Sequence, residues 1–292
     1  MKKKLCLMLL LLLSGAIIAS AQTPNPIGRH SNLSVFSGYF AKQQNSNNNG
    51  SWIGIYGDLP LYRSLSEEWN VSAWGVYSAS EWTNNMAPYV SKTQDFSLGL
   101  STGKYEEFFS YTHSFYGGLA VGYKHSKEIG RVEKKKYSSE GIQKDHLLVG
   151  NLNLNLMKYS GYHPYLFPRT QLVLSGQYAL DAQKTLSENG QSALPNKPWN
   201  KGFLETTLKQ SLWDIPLGMN QNTFLQPKIG GQFSRYFDGE ERNSYGPIIE
   251  MSLHKAGNDD FLSLTLMHKH QGQGNDYLFI MLNLNLLKLK NN

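Results

Sequence analysis

Two histidines stand directly before serines, His113-Ser114 in YTHSFYGG and His125-Ser126 in YKHSKEIG. A serine becomes a nucleophile when a histidine base takes its proton, so the pairing invites a hydrolytic reading. Both stretches read as extended chain, however. Neighbouring strand residues point to opposite faces, so neither pair can meet within its own strand. His268 and His270 in MHKHQ share a strand face, a spacing two metal ligands could use. No third ligand of suitable type stands nearby in the sequence, so neither a metal site nor a cofactor is expected. GDL, GLSTGK and VGYKHSK contain glycine, but none leads from a strand into a helix, so no phosphate loop is expected. Arg131 with Lys134, Lys135 and Lys136 makes a basic tract suited to lipid phosphates or an acidic solute.

The elements that must position these residues are strands. LLVGNLNLNLMKYSG in mid-chain and LFIMLNLNLLKLKNN at the end both contain Leu-Asn-Leu-Asn-Leu. A strand sends alternate side chains to opposite faces, so one face is leucine and the other largely asparagine. In the last strand Leu278, Ile280, Leu282, Leu284 and Leu286 oppose Tyr277, Phe279, Met281, Asn283 and Asn285. In the mid-chain copy Leu148, Leu152, Leu154 and Leu156 oppose Asn151, Asn153 and Asn155. Ten further segments follow the rule, beginning near Leu33, Trp52, Trp69, Tyr89, Phe109, Thr170, Phe203, Thr223, Tyr245 and Asp260. No helical period competes with them. Twelve strands are therefore expected, each crossing an apolar layer with the ~9–11 residues a tilted strand needs.

The connections expected at one end are long and polar, among them KQQNSNNNGS and the tract from His125 to Lys144. Those at the other end, such as AGND, read as shorter. Tyr39, Tyr77, Tyr123, Tyr178, Phe237 and Tyr245 fall on the leucine faces near the long-loop ends, with Trp69 at the opposite end. Amphipathic rings at two levels are what a membrane-interface girdle requires.

The opposite faces form a candidate interior. Trp52, Tyr56, Trp74, Tyr116, Trp213, Tyr236 and Tyr277 lie there with Asn151, Asn153, Asn155, Gln171, Gln177, Gln226, Gln232, Asn283 and Asn285. Its charges are mixed: Asp58, Asp95, Glu205 and Glu250 against Arg169, Lys209 and Lys228. Glu205, Lys209, Lys228 and Glu250 are spaced to form a ladder across adjacent strands. Rings and amides suit neutral, hydroxyl-rich solutes, by stacking and hydrogen bonding. The same residues would also fill a closed interior, since twelve strands lie between the filled eight-strand barrel and the aqueous channel of 16 to 18.

The start of the chain is an address. Lys2, Lys3 and Lys4 precede an apolar run from Leu5 to Ile18, and Ala19-Ser20-Ala21 suits signal-peptidase cleavage before Gln22. Residues 1–21 are thus read as a signal peptide and 22–292 as one domain. The single cysteine, Cys6, lies in the leader, so the mature chain is expected to have no disulfide. Removing three of 28 basic residues leaves 25 against 22 acids, about +3. That is too slight a charge to make nucleic acid an expected partner.

Over residues 30 to 290 the alternation, girdle and loop pattern resemble the bacterial outer-membrane β-barrel proteins, a class of transmembrane antiparallel up-and-down barrels. One departure is the ending Leu289-Lys290-Asn291-Asn292, where many of that class end on an aromatic residue. The resemblance implies an outer-membrane location with both termini periplasmic, contact with membrane lipid and lipopolysaccharide, and possible envelope protein partners. The leading functional expectation is a pore for small neutral or hydroxyl-rich solutes, or the pore of an export system. The alternatives are a non-transporting envelope scaffold, assembly partner or surface-attachment barrel, and an outer-membrane lipid hydrolase. Barrel lipid hydrolases share a His-x-Ser-Asn stretch, and no Ser-Asn follows either histidine here, so no catalytic residue is assigned.

Overall fold

The computed structural model describes residues 32–42, 48–64, 66, 68–84, 89–108, 113–132, 137–157, 169–189, 191–193, 202–217, 223–237, 243–255, 260–271 and 276–286. The leader and Lys134–Lys136 lie outside them. The described residues form fourteen strands: β1 (Asn32–Lys42), β2 (Asn48–Arg63), β3 (Trp69–Asn84), β4 (Tyr89–Phe108), β5 (His113–Val132), β6 (Tyr137–Met157), β7 (Arg169–Glu188), β8 (Gln191–Ala193), β9 (Gly202–Ser211), β10 (Ile215–Leu217), β11 (Thr223–Tyr236), β12 (Asn243–Lys255), β13 (Asp260–His270) and β14 (Asp276–Asn285). All pairings are antiparallel between chain neighbours, except that β9 bridges β7 and β11 and that β1 closes on β14 over Ser34–Lys42. Leaving out the short β8 and β10, twelve strands form a closed ring, as the alternation predicts. Closure satisfies the backbone groups that an open edge would expose to lipid.

Each strand divides its side chains as the pattern requires. Leu98, Leu100, Leu119, Val121, Leu174, Leu264, Leu266 and Ile280 are exposed on the outside, while Trp52, Tyr56, Trp74, Val149 and Phe279 are buried inside. Tyr39, Tyr77, Tyr178, Phe237 and Tyr245 are exposed on the outer face, and neighbouring rings touch. Tyr178 meets Phe237 at 5.9 Å, Tyr123 meets His146 at 5.7 Å and Tyr245 meets His270 at 5.2 Å. Trp69 and Tyr62 are exposed at the opposite end. Tyr77 and Trp69 are eight residues apart on β3. At ~3.3 Å per residue and ~40° of tilt that is roughly 20 Å, close to the ~25 Å apolar band of such barrels.

Glycines let the inner rings lie flat on the wall. Gly99 and Gly122 are paired across β4 and β5, and Trp74 lies over both. A Cβ on Gly122 would stand 2.5 Å from the Trp74 ring, and one on Gly99 2.0 Å from the Val121 carbonyl oxygen. No side chain larger than hydrogen fits either place.

Three expectations need correction. The tract from His125 to Lys144, read as a loop, is strand over 125–132 and 137–144, all of its described residues. Beyond the bilayer a strand no longer needs an apolar parity, so charged stretches of β5 and β6 carry no sequence mark. The expected contrast of long and short connections also fails. Four residues separate β5 from β6 at the supposed long-loop end, whereas eleven separate β6 from β7 at the other. The third correction is Trp213, which faces outward rather than into the lumen, being 41% exposed. Ser211 pairs with Lys228 and Ile215 with Leu225, so three residues (212–214) oppose two (226–227). That bulge flips the parity, turning Trp213 out and Asp214 in.

Candidate functional site in the barrel lumen

Inside the ring is a cavity of about 350 Å³ whose wall draws on most of the strands. Of the expected interior residues, Trp52, Tyr56, Asp95, Glu205, Lys209 and Glu250 line it, together with Asn151, Asn153, Gln171, Gln232 and Asn283. Asp58, Trp74, Arg169 and Lys228 are buried in the wall without bordering the cavity. The candidate residues therefore divide between a lining and its support.

The supporting charges are paired with groups of the lining. Glu250 accepts from Lys209 at 2.6 Å and from Lys228 at 2.9 Å, and Thr265 adds a third bond at 3.3 Å. Lys228 also donates to Asp260, and Arg169 Nη1 stands 4.0 Å from Asp260 Oδ1. Lys228 is almost wholly buried, so these carboxylates replace its water. The expected ladder thus holds for Lys209, Lys228 and Glu250 but not for Glu205. Glu205 accepts instead from Ser234 at 2.9 Å and lies 4.0 Å from Lys269.

Three participants escaped sequence reasoning. Asp260 opens a strand beside an irregularity in the β12–β13 register, where parity is not readable. Asp214 is turned inward by the bulge, where Gln226 donates to it at 2.6 Å and His254 lies at 3.2 Å. Lys124 is 3.4 Å from Asp95, and the apolar parity of Leu119, Val121 and Tyr123 is the signal that could have placed it inside. Tyr56 donates to Asp58 at 2.9 Å, closing the set on β2.

Apolar side chains occupy the rest of the interior in two groups. Phe40, Trp52, Ile248, Met267 and Phe279 form one, and Tyr56, Trp74, Ala120, Leu147, Val149 and Ala179 the other. The interior is therefore narrowed by rings and amides rather than being a wide water column. Its charges are largely committed to one another.

The reactive-residue candidates resolve as follows. Ser126 donates to Asp95 inside the barrel, while its neighbour His125 belongs to the opposite face. His270 stands 2.6 Å and His268 4.0 Å from Asp276 on the outer rim. Asp276 is a partner the sequence reading missed, because it lies across the β13–β14 turn. Among the described residues no group of three potential ligands is arranged to hold a metal.

No protein-family model matches the sequence, and no curated protein does. Solved structures match in fold. The transport unit of the autotransporter AIDA-I from Escherichia coli superposes with a TM-score of 0.59 at 11% identity, covering 97% of each chain. The translocator domain of the autotransporter NalP from Neisseria meningitidis gives 0.51 at 11% identity, covering 87% of this chain and 86% of that one. The shared feature is the outer-membrane β-barrel fold.

Proposed function

We propose that the chain is an outer-membrane barrel whose lumen passes small neutral or hydroxyl-rich solutes. The observation that carries this reading is the cavity lining of rings and amides, with lysines and carboxylates already paired. A path whose charges neutralise each other offers stacking and hydrogen bonds but no strong preference for one sign of ion. Both termini are placed in the periplasm and residues 1–21 are removed on export. The long ends of β4 to β7 then stand outside the cell, beside lipopolysaccharide.

The test is swelling of proteoliposomes in isotonic sugar. Barrel-containing vesicles should swell in glucose faster than empty ones, and equal rates with folded, inserted protein would refute passage. The mature chain has no cysteine, which makes orientation measurable. A Lys127→Cys variant should be labelled on intact cells and Glu68→Cys only after lysis.

A second reading, the pore of an export system, is favoured by the fold shared with a translocator domain. The lipid-hydrolase reading would need a base beside Ser126, which is engaged with Asp95 instead.

A further inference from the structure

Asn151 and Asn283 lie on β6 and β14, the sixth and twelfth members of the ring, and line the same cavity. They face each other across the barrel at one level. Following the register from Asn283 through Phe36, Gly54, Ser78, Asp95 and Ser126 ends at Gln143, eight residues beyond Asn151 on the same strand. That climb is what strand stagger produces over half a turn of a tilted barrel.

Asn151 is more than nine-tenths buried, and no protein group bonds its side-chain oxygen. The side-chain oxygen of Asn283 is likewise buried without a protein partner. Their neighbours show what the wall can do when it chooses to satisfy itself. Asn153 accepts from Gln171, and Lys209 and Thr265 both bond Glu250. Two unsatisfied amide oxygens on opposite walls, in a cavity also bordered by Trp52 and Tyr56, are costly unless something enters to bond them.

We infer that this level of the lumen is a discrete binding site for one small polyhydroxylated molecule of the monosaccharide class, with Asn151 and Asn283 as its specificity-determining residues. Hydroxyl groups answer the requirement in either amide orientation, because each can donate and accept. The apolar face of a sugar ring suits Trp52, and a cavity of about 350 Å³ is at the small end of ligand pockets (~300–1,000 Å³). The inference rests on the passage reading and adds that passage through this point is saturable.

The test uses the full mature barrel in detergent, with Trp52 among its fluorescent reporters. Titration with glucose should give a saturating change in tryptophan emission, and glycine betaine, which has no hydrogen-bond donor, should give none. Asn151→Leu and Asn283→Leu should each weaken the glucose response at least tenfold. A response to glucose that stays linear, or that betaine reproduces, would overturn the site even if either variant failed to fold. Vesicles that swell in glucose without saturation would keep the passage reading and reject the site. Vesicles that do not swell at all, with glucose still bound, would reject passage and keep the site.

Discussion

The two Leu-Asn-Leu-Asn-Leu stretches stand on opposite walls of one barrel, and the walls differ. The wall of β4 to β7 is built from strands of 20 or 21 residues, and that of β11 to β14 and β1 from strands of 10 to 14. Nine residues of β5 continue beyond the girdle at Tyr123, but only two of β12 lie beyond Tyr245. The tall wall therefore projects further by about 20 Å at ~3.3 Å per residue with tilt. Within the bilayer both walls obey one rule, leucine outside and amide or ring inside. Beyond it the tall wall replaces leucine with exposed polar pairs, Lys92–Glu81 at 2.8 Å, Lys127–Glu140 at 2.6 Å and His146–Asp181 at 2.8 Å. The short wall instead concentrates buried pairs within the lumen, around Lys228 and Glu250. Lipid imposes the shared pattern, and water permits the divergence.

Charge burial gives the largest expected difference between the walls. Lys228→Met should cost about 3–5 kcal/mol, because Glu250 and Asp260 lose a buried partner. Urea unfolding of the reconstituted barrel measures this, and a loss below 1 kcal/mol would mean that water reaches the cluster. Next come the outer faces. Leu100→Arg on the tall wall and Leu264→Arg on the short one, both inside the girdle, should each lose ~2–4 kcal/mol, as a cation in hydrocarbon does. Gln94→Arg, six residues from Leu100 on the same outer face but beyond the girdle, should be near neutral. Heat-modifiable gel migration and unfolding midpoints separate these outcomes, and a costly Gln94→Arg would move the membrane boundary. The smallest effect belongs to the exposed pairs. Lys127→Ala should change stability by less than ~1 kcal/mol and lose even that in high salt.

The same comparison explains what the sequence makes legible. β6 and β14 are readable because lipid selects apolar residues at alternate positions, Leu148, Leu152, Leu154 and Leu156 in one and Leu278, Ile280, Leu282 and Leu284 in the other. The ends of β5 and β6 from Lys127 to Lys144 carry no such demand, so they read as a loop although they are strand. Trp213 and Asp214 exchange faces because one extra residue between Ser211 and Ile215 reverses parity, and nothing local in SLWDIPL announces it. Of the lumen residues, Trp52, Glu205 and Glu250 could be placed because unbroken alternation surrounds them. Asp260 could not, because the register shifts beside it. The opposition of Asn151 and Asn283 depends on closure and stagger, which belong to the whole ring and to no single strand.

The lumen is proposed to be a narrow, nearly neutral path. Single-channel recording of the wild-type barrel in a planar bilayer, with a potassium chloride gradient across it, tests it directly. Small, discrete conductance steps are expected, with a reversal potential close to zero. A properly folded and inserted barrel that carries no current, or one whose reversal potential approaches the limit for a single ion, would contradict it.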